Sequence, residues 1–149
     1  MVRMVPILSV AQMRALEADA DARGHSYAQM MARAGASVAD AIAQRCPIDG
    51  RAILFLVGPG NNGGDGLVAA RLLQERGAVT TAYLSSPRDA DRDPVFGAAI
   101  DAGVRILVDD EAELRGVVAA SHVLVDALLG TGATPPLRGT VAASLQVVR

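Results

Sequence analysis

The sequence predicts an α/β fold: a three-layer sandwich about a parallel sheet, Rossmann-like in class, with a helical extension at its N-terminus. Three observations predict it. From Arg51 onward, short apolar runs alternate with helical stretches, and strands separated by helices imply βαβ units with right-handed crossovers. The first apolar run leads directly into a turn with five glycines in nine residues, Gly58 to Gly66. Before Arg51 only helix signals occur. The expected organisation is one domain over 1–149, with a helical extension over 1–50 and a Rossmann-like core over 51–149.

Each element has a local cause. Ser9 and Gln12 fit a capping box, in which the Ser9 hydroxyl accepts from the Gln12 N–H and Gln12 reaches back, so a helix is expected over 10–22. Leu8 and Met13 fit a hydrophobic staple around that cap. A second box, Ser26 with Gln29, opens a helix to about Arg45 that stops before Pro47. Met31, Ala34, Val38, Ala41 and Ile42 fall on one stripe of it and are expected in the core. Ala52–Val57 is an apolar run of strand length. After the glycine-rich turn a helix is expected over 66–76, stopped by Gly77. Then come a strand at Val79–Leu84, a polar loop over 85–93, a short helix over 94–102 stopped by Gly103, and a strand over 104–108. A helix at Glu111–Ala120, a strand over 122–126, a loop over 127–138 and a last helical stretch to Val148 complete the pattern.

Composition narrows the class. At 149 residues the chain is long enough for one domain with a real core. With 51% hydrophobic and 20% charged residues, a disordered chain is excluded. The 14 basic and 16 acidic residues are not gathered into any Lys/Arg block, so neither nucleic acid nor an acidic membrane is an expected partner. A single cysteine, Cys46, excludes an intrachain disulfide and a zinc finger. No apolar run approaches the roughly 20 residues that span a bilayer. Arg3 and the apolar residues 4–8 imitate a signal peptide, but the stretch is short, contains Pro6 and runs into a helix start. The expectation is a soluble, cytoplasmic protein.

In open parallel sheets, ligands bind in the crevice beyond the carboxyl ends of the strands. Two segments lie there. In the first, Gly58, Gly60, Gly63, Gly64 and Gly66 let the backbone turn tightly and approach a ligand closely, and the helix start beyond offers free N–H groups to phosphate oxygens. Asn61 and Asn62 add amides and Asp65 a carboxylate. Gly58, Gly60 and Gly63 also satisfy G-x-G-x-x-G, yet the ribose-binding acid of a redox dinucleotide site is missing, because the second strand runs out into Ser85 and Ser86. No Lys follows the glycines, which excludes a P-loop. In the second segment Asp126 ends an apolar strand, where a bare carboxylate is costly unless it is paired, binds a cation or does chemistry. The bland reading has it cap the following turn. Gly130, Thr131 and Gly132 form a second phosphate-accepting turn beside the first. His122, at the start of its strand, and His25, in a loop, read as structural, and no Ser–His–Asp, Cys–His or metal-spaced cluster supports a hydrolase or zinc site.

Together, Val57-Gly58-Pro59-Gly60-Asn61-Asn62-Gly63-Gly64-Asp65-Gly66 and Val125-Asp126-Ala127-Leu128-Leu129-Gly130-Thr131-Gly132 resemble the YjeF N-terminal-domain family, the NAD(P)H-hydrate epimerases. Residues 12–17 and 30–35 are similar to its leading helices, so the resemblance covers essentially the whole chain. It implies epimerisation of NADHX and NADPHX, the hydrates formed when water adds across the C5–C6 bond of the nicotinamide ring. The R and S forms at C6 are interconverted, so that a companion ATP- or ADP-dependent dehydratase repairs the S form. It implies substrate contacts from Asn61, Asn62, Gly63, Gly64 and Asp65, and from Gly130, Thr131, Gly132, Ala133, Thr134, Pro135 and Pro136. It implies a potassium ion, K+, held by Asn62 and Asp126, makes Asp126 the candidate acid/base, and leaves a homodimer open. Two departures stand out. Ala32 occupies a position where the family commonly carries Glu, and the family's later D-x-P-S-G motif, source of a substrate-contacting Asp and a cation-binding Ser, is not found over 141–149. On this reading the site is incomplete in this chain, through truncation or because a partner chain completes it. The alternative is a non-catalytic interaction module of the same type, or an inactive fragment. An NAD-dependent oxidoreductase is disfavoured by Ser85 and Ser86.

Overall fold

Helix α1, Val10–Ala22, begins where its capping box sits: the Ser9 N–H donates to Gln12 Oε1 at 2.8 Å and the Gln12 N–H to Ser9 Oγ at 3.3 Å. Helix α2, Tyr27–Ala43, starts with one half of such a box, the Gln29 N–H donating to Ser26 Oγ at 3.3 Å. The computed structural model describes residues 7–133, 136–137 and 139–148, and the chain divides into two compact units after Met30.

The second unit is built on a parallel sheet of β1 (Ala52–Val57), β2 (Val79–Leu84), β3 (Arg105–Val108) and β4 (Val123–Ala127), in the order β3-β2-β1-β4. Five of the six β1 residues are buried, as expected of a central strand covered on both faces. On one face Ile53, Phe55 and Val57 pack with Leu67, Ala70 and Leu73 of α3 (Asn61–Glu75) and with Phe96 and Ala99 of α4 (Pro94–Asp101). On the other, Leu54, Leu56, Tyr83 and Leu107 pack with Leu114 of α5 (Glu111–Ala120) and with Val141 and Leu145 of α6 (Gly139–Val147). Each fully buried aliphatic or aromatic side chain here contributes about 1.5–3 kcal/mol. This is the three-layer sandwich that the alternating pattern predicts.

The connections follow their local signals. Gly77 at φ +97° and Gly103 at φ +89° end α3 and α4 in the left-handed region, where a Cβ is strained. Asp93 caps α4, accepting from the Phe96 N–H at 3.1 Å, and Asp110 caps α5, accepting from the Glu113 N–H at 2.8 Å. Tyr83 of β2 packs in the cluster that holds Val141 and Leu145 of α6, and Ser144 Oγ donates to the Thr140 carbonyl at 2.7 Å. Burial pushes the Tyr83 hydroxyl above its ordinary pKa of 10.0. His122 Nδ1 accepts from the Ala52 N–H at 3.3 Å, at the N-terminal edge of the sheet, in keeping with a structural role.

The inward face of α2 follows the predicted stripe in part: Val38 and Ile42 pack against the core and Met31 and Ala41 are half-buried. Gly35 and Ala39 are buried and Ala34 is exposed. The reason is close approach: a Cβ on Gly35 would stand 2.5 Å from Val68 Cβ and 2.7 Å from the Asp65 carbonyl, so α2 meets α3 at its smallest residue. Hydropathy does not mark a glycine as an inward position.

The chain passes from β1 to β2 to β3 and then returns to place β4 on the far side of β1. The reversal puts the switch point, where open α/β sheets take their ligands, at the carboxyl ends of β1 and β4. Among the described residues, no helix is long and apolar enough to cross a membrane.

Candidate functional site

The glycine-rich segment is mostly helix. α3 begins at Asn61, not at Gly66 as turn chemistry predicts, with Gly60 as its N-cap and the Gly64 N–H donating to the Gly60 carbonyl at 3.2 Å. The glycines serve proximity more than turning. A Cβ on Gly58 would lie 1.9 Å from the Leu128 carbonyl oxygen, and one on Gly63 would lie 2.0 Å from the Gly58 carbonyl oxygen. One on Gly66 would meet Ala127 Cβ at 2.7 Å, and one on Gly64 would meet Met31 Sδ at 2.6 Å. A helical glycine costs roughly 0.5–1 kcal/mol relative to alanine. The close packing of α3 on β4 and on its own entry turn offsets that cost.

Three hydrogen-bonded ties hold the entry turn. The Gly58 N–H donates to the Ala127 carbonyl at 3.0 Å, continuing the β1–β4 ladder past Val57. Asn62 Nδ2 donates to the Leu129 carbonyl at 2.8 Å. The third tie comes from Arg88, in the loop after β2, which donates to the Gly58 carbonyl at 2.7 Å and the Gly60 carbonyl at 3.3 Å. The first two join the segments after β1 and β4 that the sequence singles out.

Asp126 pairs in register with Leu56, next to last on its strand. It is exposed rather than buried: among the described residues β4 pairs only with β1, and Leu124 on the same face is 39% exposed. Asp126 Oδ1 accepts from the Leu128 N–H at 3.0 Å, so the carboxylate does cap the turn that follows it. The chain then makes a turn over 130–133, in which the Ala133 N–H donates to the Gly130 carbonyl at 3.1 Å. A Cβ on Gly130 would sit 3.5 Å from Asn62 Cβ, so this turn lies against the start of α3. Thr131, Gly132, Ala133 and Pro136 are exposed there, and Thr134 and Pro135 lie outside the described residues.

Asn61, Asn62, Gly63, Gly64 and Asp65 thus occupy the first turns of α3, with Asn61 exposed and Asn62 and Asp65 half-buried. The positive end of the helix dipole and its first N–H groups face outward from the sheet's carboxyl edge, where anionic groups are stabilised. Ser85 closes the end of β2, its N–H donating to the Val57 carbonyl at 2.9 Å, and the residue after it is Ser86 rather than an acid. Among the described residues, no three His, Cys, Asp or Glu side chains cluster as metal ligands.

Arg88 is the residue that sequence reasoning missed. Its side chain is only 11% exposed and its charge is paired with Asp93, the cap of α4. Its carbonyl partners lie 28 and 30 positions earlier in the chain. The nearest available signal is the Arg88–Asp93 spacing just before Pro94, which says nothing about glycine carbonyls.

Comparison with known proteins adds the following. Residues 27–149 match the family described as YjeF-related protein N-terminus. The NAD(P)H-hydrate epimerase of Rhodobacter capsulatus is 42% identical over 144 residues, covering 91% of this chain and 67% of that protein. The NAD(P)H-hydrate epimerase of Rhodopirellula baltica is 41% identical over 116 residues, covering 76% and 47%. The bifunctional NAD(P)H-hydrate repair enzyme Nnr of Thermanaerovibrio acidaminovorans is 38% identical over 123 residues, covering 80% and 24%. Among solved structures, yeast ynu0, YNL200c, superposes with a TM-score of 0.79 at 27% identity, covering 97% of this chain and 65% of that one. The chain therefore spans between about a quarter and two thirds of the length of these relatives.

Proposed function

The chain belongs to the family of YjeF-related N-terminal domains, and from that premise we propose that it interconverts the R and S forms of hydrated NADH and NADPH at C6. The observation that carries the proposal is the junction of the two segments at the switch point, made by Asn62 Nδ2 on the Leu129 carbonyl and the Gly58 N–H on the Ala127 carbonyl. On the two joined segments we assign Asn61, Asn62, Gly63, Gly64, Asp65, Gly130, Thr131, Gly132, Ala133 and Pro136 to one wall for the nucleotide. Thr134 and Pro135 are assigned to the same wall from the sequence. Relatives named for this epimerisation match over 76–91% of the chain and support the same reading.

The chemistry asks little of the protein. The C6 hydroxyl sits on a carbon bonded to the ring nitrogen. When a general acid protonates that hydroxyl, the nitrogen lone pair expels it as water and C6 becomes planar. Water then adds to the opposite face and returns its proton to the carboxylate. No electrons leave the substrate, so no redox partner is required. We assign the proton transfers to Asp126, whose Oδ1 is oriented by the Leu128 N–H.

We also assign potassium as the cofactor. With the Asn62 amide nitrogen committed to Leu129, its Oδ1 is left as an acceptor, and Asp126 adds carboxylate oxygen. Amide and carboxylate oxygens suit a hard monovalent cation. When bound, the ion supplies positive charge beside the carboxylate and the two turns. The relatives named bifunctional repair enzymes support a functional link to an ATP- or ADP-dependent dehydratase that consumes the S form.

The test is direct. Purified R-form hydrate is supplied with an S-specific dehydratase in excess, and NADH or NADPH recovery is followed by absorbance with and without this protein. The expected result is conversion of the whole R pool at a rate proportional to the added protein. Recovery at the spontaneous rate at every protein concentration would overturn the proposal.

A further inference from the structure

We infer that Arg88 is a positioning residue of this site: its guanidinium holds the turn 58–60 and thereby sets how α3 presents Asn61 and Asn62. The inference rests on the reading above for its catalytic consequence, but its geometric basis is independent. The Arg88 side chain is 89% removed from solvent, uncommon for arginine unless its charge is paired and its donors are used. Both conditions are met. One terminal nitrogen faces Asp93, and the other donates to the Gly58 carbonyl at 2.7 Å and the Gly60 carbonyl at 3.3 Å.

Those two carbonyls flank Pro59, which has no N–H of its own to contribute. In a planar trans peptide the carbonyl and the following N–H point in opposite directions. Drawing the Gly60 carbonyl toward Arg88 therefore turns the Asn61 N–H away from it. The same carbonyl accepts from the Gly64 N–H at 3.2 Å, so Arg88 acts on the hydrogen bond that starts α3. On the opposite flank the Gly58 N–H is held by Ala127. The turn is thus gripped from both sides, by β4 and by the loop after β2.

Gly63 belongs to the same device. A Cβ there would stand 2.9 Å from the Arg88 terminal nitrogen as well as against the Gly58 carbonyl. The anchor itself is stiff, because Asp93 uses its other oxygen to cap α4. A lysine in place of Arg88 keeps the charge but lacks the planar fork that serves Asp93 and two carbonyls together. Arg88 has both terminal nitrogens engaged within the protein and is given no contact with the reacting atoms.

The experiment compares wild type, Arg88→Ala and Arg88→Lys in epimerisation kinetics and in amide hydrogen exchange. Arg88→Ala is expected to lower kcat/KM roughly tenfold to a hundredfold, the scale for sub-ångström to ångström misplacement of a binding element. It should also speed exchange of the Gly64 amide while β1 and β2 stay protected. Millimolar guanidinium, far below denaturing concentrations, should restore the alanine variant, whereas methylammonium should not. Arg88→Lys should stay impaired. Activity of Arg88→Ala within about twofold of wild type, or full activity of Arg88→Lys, overturns the inference, as does equal rescue by methylammonium. If Arg88→Ala does not fold, Arg88→Lys carries the test, and unchanged Gly64 exchange in it counts against the role. If wild type itself fails to epimerise, the proposed function falls, and Gly64 exchange alone decides the role of Arg88.

Discussion

Replacing Gly58 with alanine probes the joint on which the site depends. The added Cβ would lie 1.9 Å from the Leu128 carbonyl oxygen and 2.7 Å from its carbon, both backbone atoms with no rotamer to yield. Ordinary contact begins at 3.4 Å, so the turn and the segment after β4 must part by about 1.5 Å. Overpacking of this kind costs about 1–3 kcal/mol. The separation also breaks the bond from the Gly58 N–H to Ala127, which adds about 0.5–1.5 kcal/mol. The sum is about 1.5–4.5 kcal/mol, or a fall in Tm on the order of 3–18 °C for a domain near this size. Urea unfolding followed by circular dichroism measures it as a lower midpoint at unchanged slope. Gly60→Ala is the internal control: nothing lies within 4 Å of its added Cβ, and the cost should stay below about 1 kcal/mol. Gly64→Ala should fall between them, since its obstacle is the flexible Met31 thioether. A Gly58→Ala protein within about 1 kcal/mol of wild type, or less destabilised than Gly60→Ala, would refute the packing argument.

The site and the core give further expectations. Asp126→Asn keeps an acceptor for the Leu128 N–H, so stability should change by less than about 1 kcal/mol while epimerisation falls by roughly a hundredfold or more; an undiminished rate removes Asp126 from the chemistry. Wild type should be more active and melt higher in potassium than in tetramethylammonium, and Asp126→Ala should erase the difference; identical behaviour of wild type in the two salts removes the cation site. Tyr83 has its pKa raised by burial, so the folded state keeps the proton at alkaline pH where the unfolded chain has lost it. Its contribution is complete below pH 10.0 and is lost as pH rises through the folded value, so Tyr83→Phe should flatten the alkaline limb of a stability–pH profile. An unchanged alkaline limb would assign that limb to other groups.

What the sequence by itself determined is what has a local cause. The capping box at Ser9, the Ser26 hydroxyl cap, the apolar run Ala52–Val57, and the glycine stops at Gly77 and Gly103 each act within a few residues, and all appear where expected. Alternation of strands and helices was enough for a parallel sheet, and the two segments meeting at the switch point were legible because they follow strand ends. Tertiary structure decided whatever depends on distant atoms. Residues 61–66 are helical because Gly63 and Gly66 pack against Gly58 and Ala127, a reason that turn propensity cannot contain. The inward face of α2 is set by how closely Gly35 meets Val68. Asp126 is exposed because, among the described residues, β4 pairs with β1 alone, a matter of strand order rather than of strand hydropathy. Arg88 was invisible for the same reason: its partners are peptide carbonyls, which every residue carries and no sequence pattern distinguishes until the chain folds.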